Sequence, residues 1–382
     1  MKFTCKKNKL KEGISKIERV VSKQTTLPVL GNILIKSSKG QLILMATNLE
    51  LAIKVNISAK IEEDGSVTLP PRILSGFLNN IKDDVINCEM KDDKFYIKSE
   101  NHSIQIKTLS AKDFPIIPEM PEEKYFKIKS NNLIKAVSAV NISVAHKDTR
   151  QELNGVFVKF EKNRLILAST DSFRLSEIKV PIIKDSVNDE YNNYIEKGND
   201  IIIPINIINE IQQLPIDSEV DVYVTENQIF INTNDIQLTS QLINGHYPDY
   251  KQIIPSECEN KLVFMKNELL EAVKVASLVT NNQNGEVKIS KNKEDNFIIV
   301  TSQSVDLGEN ISTVKVDDSD IEFESYFNHR YIIEGLNCVL FKNDKILMEF
   351  KREKSPVIFK SLNSNGEIID EFLYMIMPII KD

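Results

Sequence analysis

The sequence predicts an α+β fold dominated by antiparallel sheet, made of one unit written three times. Three observations carry that expectation. An amphipathic helical segment recurs near residues 8, 131 and 266. Each copy is followed by runs of alternating apolar and polar residues, split by hairpin turns. A second helical segment then recurs in every copy before more strand-like sequence. Dividing 382 residues by three gives about 127 per unit, an ordinary domain size.

The elements follow in order. "NKLKEGISKIERVVS" puts Leu10, Ile14, Ile17 and Val21 on one helical face. "NNLIKAVSAVNISVA" does the same with Leu133, Val137, Val140 and Val144, and "KNELLEAVKVASLVT" with Leu269, Val273 and Ala276. The strand runs after them turn at "SSKG", "EKN" and "KNKED", where hairpins need polar or glycine residues. The second helix of the first unit, "LPPRILSGFLNNI", opens on prolines, whose missing N–H does no harm there. Its counterparts are "IPINIINEIQQL" and "YFNHRYIIEGL". Two units close on "LSAKDFPIIP" and "LINGHYPDYKQIIP", and the third on "YMIMPII". That last stretch is far more apolar than a fraying terminus should be. Boundaries near 121 and 257 give expected domains at 1–121, 122–256 and 257–382.

Composition narrows the function. The chain is acidic, with a net charge of −7, which disfavours indiscriminate nucleic-acid binding but leaves room for local basic stripes. No signal peptide opens it, and no apolar run approaches the roughly 20 residues of a membrane helix. Cysteines 5, 88, 258 and 338 form no CxxC pair and suit a reducing cytoplasm. Phosphate loops, GxGxxG, HExxH and GxSxG are all absent, and acidic pairs such as Asp83–Asp84, Asp92–Asp93 and Asp317–Asp318 sit where polar turns belong. No catalytic residue, metal or cofactor is expected. The balance favours binding over catalysis, with an enzyme of convergent residues and a protein-only scaffold as the competing classes.

Helix faces suggest what is bound. Opposite the apolar stripe of the first helix lie Lys9, Glu12, Lys16, Arg19 and Lys23, four of the five basic. Such a row can neutralise phosphates without reading bases. The second unit carries a weaker version in Lys135, His146, Lys147 and Arg150. In the third, Leu278 is apolar where the helix should be wet, which suggests a protein contact.

"TLPVLGNILI", "ELNGVFVKF", "STDSFRLS", "YPDYKQIIP" and the terminal "YMIMPI" occur in this order along the whole chain. With the three repeats, they closely resemble the bacterial DNA polymerase III beta subunit family, the sliding clamps. The resemblance implies three clamp domains, each with two helices packed on antiparallel sheets, and a head-to-tail homodimeric ring. It implies a non-catalytic processivity factor that encircles duplex DNA without sequence preference. The implied partners are the replicative polymerase alpha subunit, the clamp loader, repair polymerases, ligase and mismatch repair factors, with no membrane.

The resemblance also assigns residues. For DNA it implies Lys9, Lys16, Arg19, Lys23, Arg72, Lys135, His146, Lys147 and Arg150, and Gln24, which replaces an Arg common in the family. For the dimer interface it implies Ile104 and Ile106 on the first-unit side, and Leu278 and Val279 on the third-unit side. A peptide-binding groove would combine Thr170, Ser172, Phe173, Arg174 and Leu175 with Pro248, Gln252 and Ile253. Its third wall would be Pro356, Met375, Ile376, Met377, Pro378 and Ile379. Here Ser172 and Phe173 replace a usual Gly-His or Gly-Tyr. Gln252 and Ile380 stand where relatives often carry Arg, so the groove should be more apolar and less cationic.

Overall fold

The computed structural model describes residues 1–22, 27–38, 40–122, 125–146, 148–184, 186–280, 285–317, 320–338, 340–341, 343–352 and 354–380. Lys23, Gln24 and Lys147, three of the expected DNA contacts, lie outside the described residues. The chain forms two compact units. The first comprises Met1–Ser130, Asp185–Tyr191 and Leu214–Leu242, and the second Asn131–Lys184, Asn192–Gln213 and Ile243–Asp382.

The helices among the described residues are α1 (Lys7–Ile17), α2 (Pro71–Asn80), α3 (Ser130–Asn141), α4 (Asp189–Glu196), α5 (Ile205–Ile211), α6 (Lys266–Ser277) and α7 (His329–Leu336), and all but α4 form where the repeat places them. Helix α4 has no counterpart in the repeat and was not expected. Helix α1 buries Leu10, Ile14 and Ile17 but ends before Val21. Beyond Ile17 the chain tightens, with Val20 N bonded to Ile17 O and Val21 N to Glu18 O, each three residues back.

The alternating runs become antiparallel strands. In Gln41–Thr47 the buried residues include Leu42, Leu44 and Ala46, so every second side chain enters the core. In the first unit one sheet orders Phe126–Lys129, Glu219–Val224, Gln228–Asn232, Ile236–Gln241, Leu51–Ile57, Gln41–Thr47, Ile33–Ser38 and Gly65–Leu69. In the second unit another orders Asn260–Met265, Lys345–Phe350, Val357–Leu362, Ile368–Ile376, Arg174–Pro181, Arg164–Thr170, Gly155–Glu161 and Ile201–Pro204. Both join strands distant in sequence at their middle. Leu51–Ile57 pairs with Ile236–Gln241, and Arg174–Pro181 pairs with Ile368–Ile376.

Two smaller sheets complete the units. Lys60–Glu63, Lys2–Lys6, Val85–Lys91, Lys94–Lys98 and Ser103–Lys107 make five strands in the first. Gly308–Lys315, Phe297–Ser304, Glu286–Lys291 and Phe323–Asn328 make four in the second. Asp92 and Asp93 form the turn between Val85–Lys91 and Lys94–Lys98 with φ of 47° and 57°, a conformation Asp tolerates better than most residues.

Candidate functional site

The three stretches singled out at 170–175, 247–253 and 374–380 meet in the second unit. Register brings the first and last together: Leu175 faces Met375, and Arg174 faces Ile376. The pairing runs past the strand end, because Met377 N donates to Phe173 O at 2.8 Å. The same tail pairs on its other side, where Ile358 faces Met375 and Val357, next to Pro356, faces Ile376. Ile379 N then bonds Tyr326 O at 2.7 Å.

Local chemistry fixes the turn that presents Phe173. Asp171 Oδ1 accepts from the backbone N–H groups of Phe173 and Arg174, both at 3.0 Å. Thr170 Oγ1 donates to Arg174 O at 2.7 Å and accepts from Ser172 N. Ser172 is thereby held at φ 76°, a left-handed conformation that a glycine would adopt at no steric cost. This chain meets that backbone demand at Ser172 with an Asx-type turn. Phe173 is left 60% exposed.

The third stretch packs against these two. Tyr250 is buried with Ala168, Leu175, Ile358 and Met375, with Tyr247, Ile254 and Met377 against the same cluster. Tyr247 Oη accepts from Thr170 N at 3.0 Å, and Tyr250 Oη donates to Glu177 Oε2 at 2.5 Å. Burial pushes both phenols above their ordinary pKa, so both stay neutral donors or acceptors at physiological pH.

Arg174 is a buried clasp. Its side chain is only 9% exposed. Nε reaches Asp171 Oδ2 at 2.9 Å, Nη1 pairs with Glu334 of α7, and the guanidinium lies 4.5 Å from the Tyr331 ring centroid. Burial opposes its charge, yet Tyr374, Glu334 and Asp171 outweigh that and hold its pKa above the ordinary arginine value. Tyr374 Oη in turn donates to Tyr331 O at 2.8 Å.

The structure therefore sorts the expected groove residues by accessibility. Thr170, Arg174, Leu175, Met375 and Ile376 are buried and build the floor. Ser172, Phe173, Pro248, Gln252 and Ile253 are exposed, and Pro356, Met377, Pro378 and Ile379 are half-buried. Asp171, Tyr247, Tyr250, Tyr331, Glu334 and Tyr374 were missed as individual site residues. The Asp171 turn had a signal in "TDS", whereas Tyr331 and Glu334 approach across some 160 residues of sequence and had none.

The other expected residues are dispersed. Lys9 is exposed on α1, 4.0 Å from Glu12, and Lys16 is half-buried in its last turn. Arg19 follows the helix, and Arg72 begins α2 beside a cleft of about 560 Å³ that also touches Glu18 and Ser22. Lys135 is half-buried on α3, and His146 is exposed. Arg150 pairs with Asp148 and donates to Ser172 Oγ at 2.9 Å, which ties it to the groove turn. Leu278 caps α6 at 74% exposure, with Val279 half-buried next to it. Ile104 is half-buried on the edge strand Ser103–Lys107, while Ile106 is buried inside its own unit. Among the described residues no group of three or more acidic, His or Cys side chains could hold a metal ion. No described helix is long and apolar enough to cross a membrane.

A repeated α+β chain in which three distant segments meet over one buried cluster, leaving Phe173 and Ile253 exposed beside it, has the form of a binding protein. Three family profiles match in sequence order: the DNA polymerase III beta subunit N-terminal domain at 1–118, central domain at 127–249 and C-terminal domain at 251–379. The chain belongs to the DNA polymerase III beta subunit family. It is 25% identical over 386 residues to the beta sliding clamp of Synechococcus elongatus and 26% identical over 395 to that of Staphylococcus aureus, covering 99% of both chains in each comparison. Its fold superposes on the DNA polymerase sliding clamp of Bacillus subtilis with TM-score 0.91 at 23% identity. The Pseudomonas aeruginosa DNA polymerase III beta subunit gives 0.90 at 23%, and both cover all of each chain. Its function is that of a sliding clamp for the bacterial replicative polymerase, a non-catalytic role.

Proposed function

We propose that this chain acts as a head-to-tail homodimeric ring that holds duplex DNA topologically and recruits partners through the groove of the second unit. The carrying observation is the zipping of Arg174–Pro181 to Ile368–Ile376, which brings Met377 against a buried cluster that Ile254 also packs on, with Phe173 and Ile253 exposed next to Arg174 and Ile254. A pliable Met- and aromatic-lined groove accepts the apolar anchors of many linear peptides. Partners on this reading are the replicative polymerase alpha subunit, the clamp loader, repair polymerases, ligase and mismatch repair factors. Domain boundaries near 121 and 257 belong to the same proposal.

Ring closure is assigned to two sheet edges. Ser103–Lys107 and Gly308–Lys315 each lie at the edge of their sheet, with one side of the backbone ladder unpaired among the described strands. Exposed Ile311 on the second edge adds apolar surface, as does Leu278. A heterologous edge-to-edge contact closes a ring when the rotation permits. Since Ile106 is buried within its unit, the strand backbone and Ile104 carry the first-unit side.

DNA contact is assigned to Lys9, Lys16, Arg19, Lys23, Gln24, Arg72, Lys135, His146, Lys147 and Arg150. Sliding needs weak, sequence-independent attraction, and a sparse basic set on an acidic chain suits it. The test is retention on loader-charged DNA. Circular DNA should hold the protein and linearisation should release it. Equal release from both templates would overturn the topological reading.

A further inference from the structure

We infer that the first unit carries a second docking surface, built on the same scaffold as the groove and suited to an extended, basic–aliphatic peptide. The inference rests on the docking function proposed for the groove. The scaffold match is at the level of single atoms. Thr47 Oγ1 donates to Leu51 O at 3.0 Å and accepts from Leu49 N, as Thr170 does with Arg174 and Ser172. Asn48 Oδ1 accepts from Glu50 N and Leu51 N, the role Asp171 plays for Phe173 and Arg174. Leu49 has φ 78°, against 76° at Ser172. Gln241 N donates to Glu50 O at 2.8 Å, the bond that Met377 N makes to Phe173 O.

The packing beneath is duplicated too. Ala52 and Phe114 are buried together with Ile117, against Leu34 and Met45. Their counterparts are Leu175, Tyr250, Ile254, Phe157 and Ala168. The loop "DFPIIP" thus lies where "DYKQIIP" lies in the other unit, and it leaves Ile116 97% exposed, in the place of Ile253. Leu49 is 51% exposed on the turn. Two side chains of this size in water, over a preformed turn, are an unused apolar contact.

Four substitutions change what this surface accepts. Its floor is Ala52 and Thr239 in place of Leu175 and Met375, so it is smaller and more polar. Gln241 stands for Met377, and its Nε2 is committed to Leu49 O at 2.9 Å. Exposed Glu50 replaces Phe173, so the rim carries an anion where the other groove carries an aromatic ring. Lys54 is occupied: its Nζ donates to Pro118 O, and burial lowers its pKa, with Glu119 acting the other way and exposed Lys36 nearby lowering it further. The complement is an aliphatic side chain against Ile116 and Ala52, next to a lysine or arginine at Glu50.

The experiment uses the full-length protein and two fluorescein-labelled hexapeptides, alternating Lys-Leu and alternating Glu-Leu. Polarisation should show the basic peptide binding, with at least tenfold loss in Ile116→Asp and in Glu50→Lys, both exposed sites. Hydrogen exchange should show protection at 47–54 and 113–118. No binding of the basic peptide, equal binding of the acidic one, or protection confined to 170–177 and 247–254 would overturn the second surface. An Ile253→Asp variant separates the two readings. It should spare this binding while abolishing that of a purely apolar peptide at the groove. If it spares both, the groove assignment fails, and the second surface then stands only on the Ile116 and Glu50 results.

Discussion

At the scale of single residues, Arg174 shows how a charged side chain can serve a binding site without touching the ligand. Its donors are engaged by Asp171 and Glu334, and its face by Tyr331. Removing one partner of such a clasp leaves a desolvated cation undercompensated. Glu334 is itself about half exposed, which limits the cost. Glu334→Gln should lower stability by about 1 kcal/mol. It should weaken groove-peptide binding roughly fivefold through a looser Phe173 turn; calorimetric binding that stays at the native level would show that the turn does not need α7. Cysteines give a second prediction. Burial pushes the Cys5 thiol up to about 12 and Cys338 to about 11, and Cys88 well above its ordinary value. At pH 8 a thiol reagent should label only half-buried Cys258 in the native state, and slowly, since its pKa is raised as well. The sign for stability follows. The folded state keeps these protons while the unfolded chain loses them, so the contribution is complete below about pH 9 and is lost as pH rises toward 12. Alkaline unfolding, followed by circular dichroism, should begin in that window.

At the scale of elements, the tail is where sequence reasoning needed most adjustment. "YMIMPII" reads in the sequence as one groove wall, and on that reading deletion of 375–382 removes only the site. The structure divides the stretch. Tyr374, Met375 and Ile376 are buried strand residues paired on both sides, whereas Met377, Pro378 and Ile379 are half-buried and Ile380 is 71% exposed. Deleting 375–382 should therefore damage the sheet and lower the thermal midpoint. Deleting 379–382 should leave the midpoint within about 2 °C and still weaken peptide binding. Equal thermal losses from both truncations would contradict this division. The neighbouring helix sets a second constraint. A Cβ at Gly335 would lie 2.0 Å from Tyr374 Cε1, so α7 approaches the tail strand only because it has glycine there. Gly335→Ala should cost about 2–3 kcal/mol by overpacking, readable in thermal unfolding.

At the scale of the whole molecule, the repeat is legible in helix spacing and strand alternation, because both periods follow from backbone geometry. Association is the property that depends on all of it. Leu278 ends α6 exposed, which fits a side chain reserved for a partner. Leu278→Lys should shift the protein from dimer to monomer in sedimentation, and an unchanged dimer would remove Leu278 from the interface. DNA retention should fall as salt rises, because it rests on phosphate contacts.

The sequence by itself determined the three-fold repeat, the recurrent helices and strand runs, the family, and the three stretches that meet in the second unit. Each rests on local patterns: apolar period, turn chemistry and motif order. Only the tertiary structure decided which groove residues face solvent, that Arg174 is held by Glu334, that Ile106 is already buried, and that Thr47–Leu51 repeats the turn at Thr170–Arg174. Those outcomes depend on register between strands about 200 residues apart and on packing across them. No local period encodes which face of a paired strand remains uncovered.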